Sequence, residues 1–134
     1  MANGISPYDK VRILFIEDES YIRRIICRLL RQIGFSLIDE AENGADGLRE
    51  VLRVKPNVVL CDIHMEPVDG LAFLKTLRSV KDEALSKIPV IFLTADKERN
   101  TVMSAKEHRV DGYLAKPVSA KALKDRLDAV LQSK

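Results

Sequence analysis

Five short apolar or β-branched runs recur along the chain: "VRILFI" at 11–16, "SLIDEA" at 36–41, "NVVLCD" at 57–62, "PVIFLT" at 89–94 and "GYLAK" at 112–116. Each is too short for a core helix and is consistent with a strand buried on both faces. Between the strands the period changes to that of a helix. In "ESYIRRIICRLLRQIG" the residues Ile22, Ile25, Ile26, Leu29, Leu30 and Ile33 share one stripe, and Gly34 is a natural stop. The last segment repeats this with Leu123, Leu127, Val130 and Leu131 after Ser119, a candidate N-cap. Weaker helical segments are expected over 44–53, 70–80 and 98–108. Five strand-then-helix units without an internal repeat, low-complexity tract or linker predict an α/β fold, a doubly wound parallel sheet with helices on both faces.

In such sheets the functional crevice lies at the carboxyl ends of the strands. The first strand ends at Glu17 and Asp18, with Glu19 next, and the third ends at Asp62. If these strands are neighbours, three carboxylates converge, and like charges in a small cleft repel unless a cation sits between them. A divalent metal is implied, and a few oxygen-only ligands suit Mg²⁺, which keeps several waters and often binds a phosphoryl group too. The fourth strand ends at Thr94 and the fifth at Lys116, a hydroxyl and an ammonium that can donate to anionic oxygens. Taken singly, each of these residues has an ordinary structural explanation: Asp in a turn, Thr in a strand, a solvated Lys before Pro117. Together they form a carboxylate nucleophile, a metal site and two donors, which points to a phosphoryl group on Asp62.

The 134 residues, 46% hydrophobic and 31% charged, fit one domain with a sizeable core. We expect an N-terminal arm over 1–9 and the folded domain over 10–134. A net charge of +2, from 22 basic and 20 acidic residues, gives no nucleic-acid footprint. Cys27 and Cys61 lie in apolar segments without the spacing of a zinc or redox motif, so buried thiols in a reducing cytoplasm are expected. No apolar run approaches a membrane span, and "MANGISPYDK" lacks the apolar core of a signal peptide.

At this point the chain resembles the response-regulator receiver domains of two-component signalling, the CheY-like group, over about Val11 to Leu131. "ILFIEDE" is similar to the acidic first turn, "VVLCDIHMEPVDG" to the phosphoacceptor segment, "LTA" to the Thr-Ala element and "YLAKP" to the Lys-Pro element. The resemblance implies the flavodoxin-like strand order 2-1-3-4-5 with five helices. It implies Asp62 as phosphoacceptor, Asp18 as a direct Mg²⁺ ligand, Glu17 as a ligand directly or through water, and the backbone carbonyl of His64 as another. Thr94 would bond a phosphoryl oxygen, Lys116 would pair with it, and a cis bond before Pro117 would aim Lys116 inward. Thr94 and Tyr113 would form a switch pair, and His64 and Asp96 would tune dephosphorylation. The chain departs from the pattern at Glu17, where many members carry Asp, and at Glu66, which intervenes between Met65 and Pro67.

The implied partners are a histidine kinase or phosphotransfer protein and a downstream protein. The latter would dock on the face of the helix over 98–108, the fifth strand and the last helix, with Lys106, Arg109, Tyr113 and Lys121. Neither nucleic acid nor membrane insertion is expected, phosphotransfer would be self-catalysed, and the protein would be a monomer or a phosphorylation-dependent dimer. Because the chain ends with its last helix, the output is expected in trans; a chemotaxis regulator, a phosphorelay intermediate and a receiver cut from a longer protein all stay open. A haloacid-dehalogenase-type phosphatase would want two aspartates one residue apart after the first strand, which "IEDES" does not supply. A flavodoxin-like binder would want a Gly-, Ser- or Thr-rich phosphate loop where "EDESY" stands. A pseudo-receiver would lack one of the key residues, and all are present.

Overall fold

The computed structural model describes residues 6–94 and 109–132. In chain order its elements are β1 (Arg12–Ile16), α1 (Ser20–Ile33), β2 (Leu37–Ala41), α2 (Gly44–Val54), β3 (Val58–Asp62), α3 (Gly70–Arg78), α4 (Glu83–Ser86), β4 (Val90–Thr94), β5 (Gly112–Ala115) and α5 (Ala120–Gln132). The strands form one parallel sheet in the order β2-β1-β3-β4-β5, as expected. The helix expected over 98–108 lies outside the described residues, while the single-turn α4, too short to show a period, was not expected.

Alternate residues of the central strands supply opposite cores, which is why the runs are apolar throughout. Leu14, Ile16, Val59, Cys61, Val90 and Phe92 pack with Phe73, Leu74 and Leu77 of α3. Ile13, Phe15, Val58, Leu60, Ile91 and Leu93 pack instead with Ile26 and Leu30 of α1 and with Leu123, Leu127 and Val130 of α5. A one-residue slip in any central strand would exchange its two faces, so the register is strongly set. That register brings Ile16 level with Cys61, Asp62 with Leu93 and Thr94 with Ala115.

Caps set the helix ends. Asn43, Asp69, Asp82 and Ser119 each accept a hydrogen bond from a first-turn N–H, those of Asp46, Ala72, Ala84 and Ala122. Gly34 closes α1 at φ 127°, its N–H donating to the carbonyls of Leu30 and Arg31. Residues 6–9, assigned above to the arm, are packed. Tyr8 is buried, stacks on Phe35 at 4.2 Å and donates its hydroxyl to Asp128 Oδ1 at 2.5 Å. Ordered contacts therefore begin by Ser6, ahead of the boundary read from the sequence.

At the amino ends of the strands, Arg78 ties α3 to the segments that lead into β4 and β5. Its guanidinium donates to the carbonyls of Ser86 (2.9 Å), Ile88 (2.8 Å) and Arg109 (2.8 Å) and pairs with Asp111 (2.9 Å). The side chain is only 7% exposed. Arg78→Leu leaves three carbonyls without this donor and Asp111, which keeps the Val90 N–H (2.8 Å), without its ion-pair partner, and we expect chemical denaturation to show a loss of about 3 kcal/mol. An unchanged midpoint would mean that water replaces the guanidinium at no cost.

Candidate phosphoacceptor site

β1 and β3 are hydrogen-bonded neighbours, so the residues that follow Ile16 and Cys61 must emerge side by side. Glu17 is fully buried and Asp62 is 6% exposed, whereas Asp18 faces solvent. One oxygen from each of these three carboxylates lies within 4.8 Å of the others, close enough to hold one metal ion. The convergence expected from the strand ends is thus present, and its all-oxygen donor set fits a hard divalent cation such as Mg²⁺.

Lys116 completes the cluster from the far strand. Its Nζ lies 3.1 Å from Glu17 Oε1 and 3.2 Å from Asp62 Oδ1. It is placed there by β5, whose ladder continues as the Lys116 N–H donates to the Thr94 carbonyl (3.0 Å); the Lys116–Pro117 peptide bond is cis. Burial lowers the Lys116 pKa, but the carboxylates of Asp62 and Glu17 outweigh it and the net shift is upward, so the ammonium is retained. Burial pushes the Glu17 carboxyl up to about 7, with the Asp62 charge adding to the rise and Lys116 opposing it.

Thr94 ends β4 and is 7% exposed, next to Lys116 through the β4–β5 ladder. Tyr113 is half-buried on β5, its ring centroid 6.4 Å from that of Phe92, and burial raises its phenol pKa. His64 is exposed on the loop after β3 and lines an open groove with Asp18, Met65, Glu66 and Asp69. A second cis bond, Glu66–Pro67, lies in this loop; the intervening Glu66 was legible, the isomer was not. Asp96 and Lys106 lie outside the described residues. Arg109 and Lys121 are exposed, and Lys121 pairs with Asp125 at 2.7 Å.

The cysteines offer no competing nucleophile. Both are free and buried, with thiol pKa values raised chiefly by burial: Cys27 to about 11 and Cys61 well above its ordinary value. Two residues were not assigned to the site from the sequence. Gly70 brings the start of α3 against the β3 exit, its N–H donating to the Ile63 carbonyl at 2.8 Å. Arg23, one of several arginines on α1, donates to the main-chain carbonyl of Glu17 at 2.5 Å; only its position one turn into the helix that follows the acidic residues could have singled it out.

Residues 13–128 match the family profile described as response regulator receiver domain. The chain is 34% identical over 122 residues to the chemotaxis protein CheY-3 of Vibrio cholerae, an alignment covering 91% of this chain and 92% of that protein. It is 32% identical to the chemotaxis protein CheY of Pseudomonas aeruginosa, covering 91% and 97%. The solved structure of Vibrio cholerae CheY4 superposes with a TM-score of 0.82 at 23% identity, covering 90% of this chain and 98% of that one, a likeness of fold.

Proposed function

This chain belongs to the response regulator receiver domain family, and from that premise we propose that it accepts a phosphoryl group on Asp62 from a histidine kinase or histidine phosphotransfer protein. Receiver domains serve two-component phosphoryl-accepting signalling. The observation that carries the residue assignment is the meeting of Asp62, Glu17, Asp18 and Lys116 at the carboxyl ends of β1, β3 and β5. Asp62 is the nucleophile of the set: its Oδ1 is held by an ammonium, and Asp18 and Glu17 stand beside it to share a cation.

Glu17, Asp18 and Asp62, with the backbone carbonyl of His64, would hold Mg²⁺. When bound, the ion supplies charge neutralisation for the phosphoryl oxygens and the carboxylates. The chain's own residues do the rest. Lys116 holds the Asp62 carboxylate in place and offers a cation to a phosphoryl oxygen, and Thr94 offers a hydroxyl at the next strand end. Attack by an Asp62 oxygen on phosphorus forms the acyl phosphate as the bond to the donor's leaving group breaks, and hydrolysis later returns the carboxylate and inorganic phosphate. His64 and Asp96 tune that second step. Tyr113, amphipathic and half-buried, changes position with Thr94 as the switch. The output is a separate protein that docks at the face containing Tyr113, Arg109 and Lys121. The protein acts in the cytoplasm; no helix among the described residues is long and apolar enough to cross a membrane.

Intact mass after incubation with acetyl phosphate tests this reading. One added phosphoryl group is expected with Mg²⁺, and none without Mg²⁺ or in Asp62→Asn. An adduct that survives Asp62→Asn would move the acceptor elsewhere.

The Glu17 pKa gives the site a pH signature. Because the folded value, about 7, lies above the ordinary 4.5, the folded state holds the extra proton between these limits. Its contribution to stability is complete below about pH 4.5 and is lost as pH rises through 7. Lys116, already charged throughout this window, adds nothing to it. Metal-free protein is therefore expected to lose about 1 kcal/mol between pH 6 and 8 from Glu17 alone, and saturating Mg²⁺ to reverse the loss. Below pH 7 each unit should weaken Mg²⁺ binding about tenfold as the ion displaces a proton. Thermal midpoints and calorimetric titration in two buffers check both; a Glu17→Gln variant that keeps the full pH slope would contradict the assignment.

A further inference from the structure

We propose that Arg23 is a positioning residue of the metal site: its guanidinium fixes the peptide between Glu17 and Asp18 and so holds the two carboxylates in a converging arrangement. The proposal rests on the metal reading above and deepens it. β1 ends at Ile16, so the Glu17–Asp18 peptide has left the sheet ladder before it reaches the site. The main-chain groups on either side of the Glu17 Cα are nevertheless anchored. The Glu17 N–H donates to the Ala41 carbonyl at 3.0 Å, and the Glu17 carbonyl accepts from Arg23 Nη1 at 2.5 Å. That peptide's orientation decides how two consecutive side chains diverge: Glu17 into the interior, Asp18 into solvent, with their oxygens still within 4.8 Å of each other.

Arg23 is equipped for this and is itself held. Its Nε donates to Glu40 Oε1 at 3.2 Å, its Nη2 lies 3.8 Å from Glu42 Oε1, and its side chain is only 13% exposed. One planar fork thus ties the turn after β1 to the carboxyl end of β2, which a single-point ammonium cannot do. The neighbouring Arg24, Arg28 and Arg31 make no ion pair among the described residues and point to solvent; Arg23 differs from them by facing the site. Groups that orient ligands without touching the metal typically change affinity by about tenfold to a hundredfold when removed.

Charge and geometry predict opposite signs, and that separates them. Removing a cation beside a metal site strengthens metal binding if charge alone matters; removing the tether weakens it. Arg23→Gln and Arg23→Lys keep helix propensity close to that of Arg, and Arg23→Lys also keeps the charge. Mg²⁺ is titrated into each protein at 0.15 M salt, where screening over about 8 Å limits the charge effect, following the backbone amide resonances of residues 17–19 and 62. We expect about tenfold weaker binding for Arg23→Gln, intermediate weakening for Arg23→Lys, and displaced metal-free resonances at Asp18 in both. Arg23→Gln binding as tightly as the parent or tighter, or Arg23→Lys unchanged, overturns the proposal; a fallen thermal midpoint with unaltered affinity does the same by assigning Arg23 to stability alone. If Arg23→Gln does not fold, the charge-preserving Arg23→Lys decides. A parent protein that binds no Mg²⁺ would sink the metal reading itself, an outcome distinct from a binding parent whose Arg23 variants bind equally well.

Discussion

Replacing Lys116 with Met is expected to tighten Mg²⁺ binding while slowing phosphoryl uptake by about a hundredfold or more. The two effects have one origin. The Lys116 ammonium bonds Glu17 at 3.1 Å and Asp62 at 3.2 Å, so it occupies the charge environment a cation would share. Methionine keeps most of the side-chain bulk and removes that competitor, leaving the two carboxylates to repel each other and to recruit metal more strongly. During transfer, charge builds on phosphoryl oxygens beside Asp62, and a preorganised donor aimed there acts on the transition state more than on the resting protein. Rates of mass gain from acetyl phosphate at saturating Mg²⁺, with metal affinity measured separately, check both parts. Unchanged uptake would reduce Lys116 to a counter-ion of the two carboxylates; weaker metal binding would mean that it orders the carboxylates more than it competes.

The second large effect is expected at Gly70. A Cβ there would lie 2.6 Å from the carbonyl oxygen of Asp62 and 2.9 Å from the Cα of Ile63, both backbone atoms that cannot rotate away, and 3.2 Å from the ring of Phe92. Gly70→Ala must therefore push α3 off the β3 exit or bend the strand end that carries Asp62. We expect a loss of about 2 to 3 kcal/mol, seen as a melting temperature lower by several degrees, together with slower phosphoryl uptake. Gly47 provides the contrast: a Cβ there meets the terminal Cδ1 of Ile16 at 2.4 Å, the flexible end of a side chain. Gly47→Ala should be milder and spare uptake. Equal losses at the two positions would show that burial rather than backbone contact is what matters.

Local pattern carried most of the fold. Runs such as Val58 to Cys61 and the stripe from Ile22 to Ile33 announce strand and helix by period alone, and alternation of the two predicts a parallel sheet with its crevice at the carboxyl ends. The site was legible for the same reason, since Glu17, Asp18, Asp62, Thr94 and Lys116 each stand where a recognisable strand stops. What stayed hidden depends on partners distant in sequence and on geometry with no periodic trace. Arg78 reads as an ordinary basic residue at a helix end until it meets the Arg109 carbonyl and Asp111. Tyr8 reads as part of a loose arm until its hydroxyl reaches Asp128, 120 residues away. Arg23 is indistinguishable from the other arginines of α1 until the Glu17 carbonyl appears beside it.

The phosphoryl group is expected on Asp62 and on no other carboxylate of the cluster. Borohydride reduction of protein treated with acetyl phosphate and Mg²⁺ converts an aspartyl phosphate to homoserine, and peptide mass spectrometry then locates it. The expected result is homoserine at position 62 alone, with Glu17 and Asp18 unmodified. Reduction at either of those residues, or no reduced residue in protein that has demonstrably gained the phosphoryl mass, would place the acceptor elsewhere than Asp62.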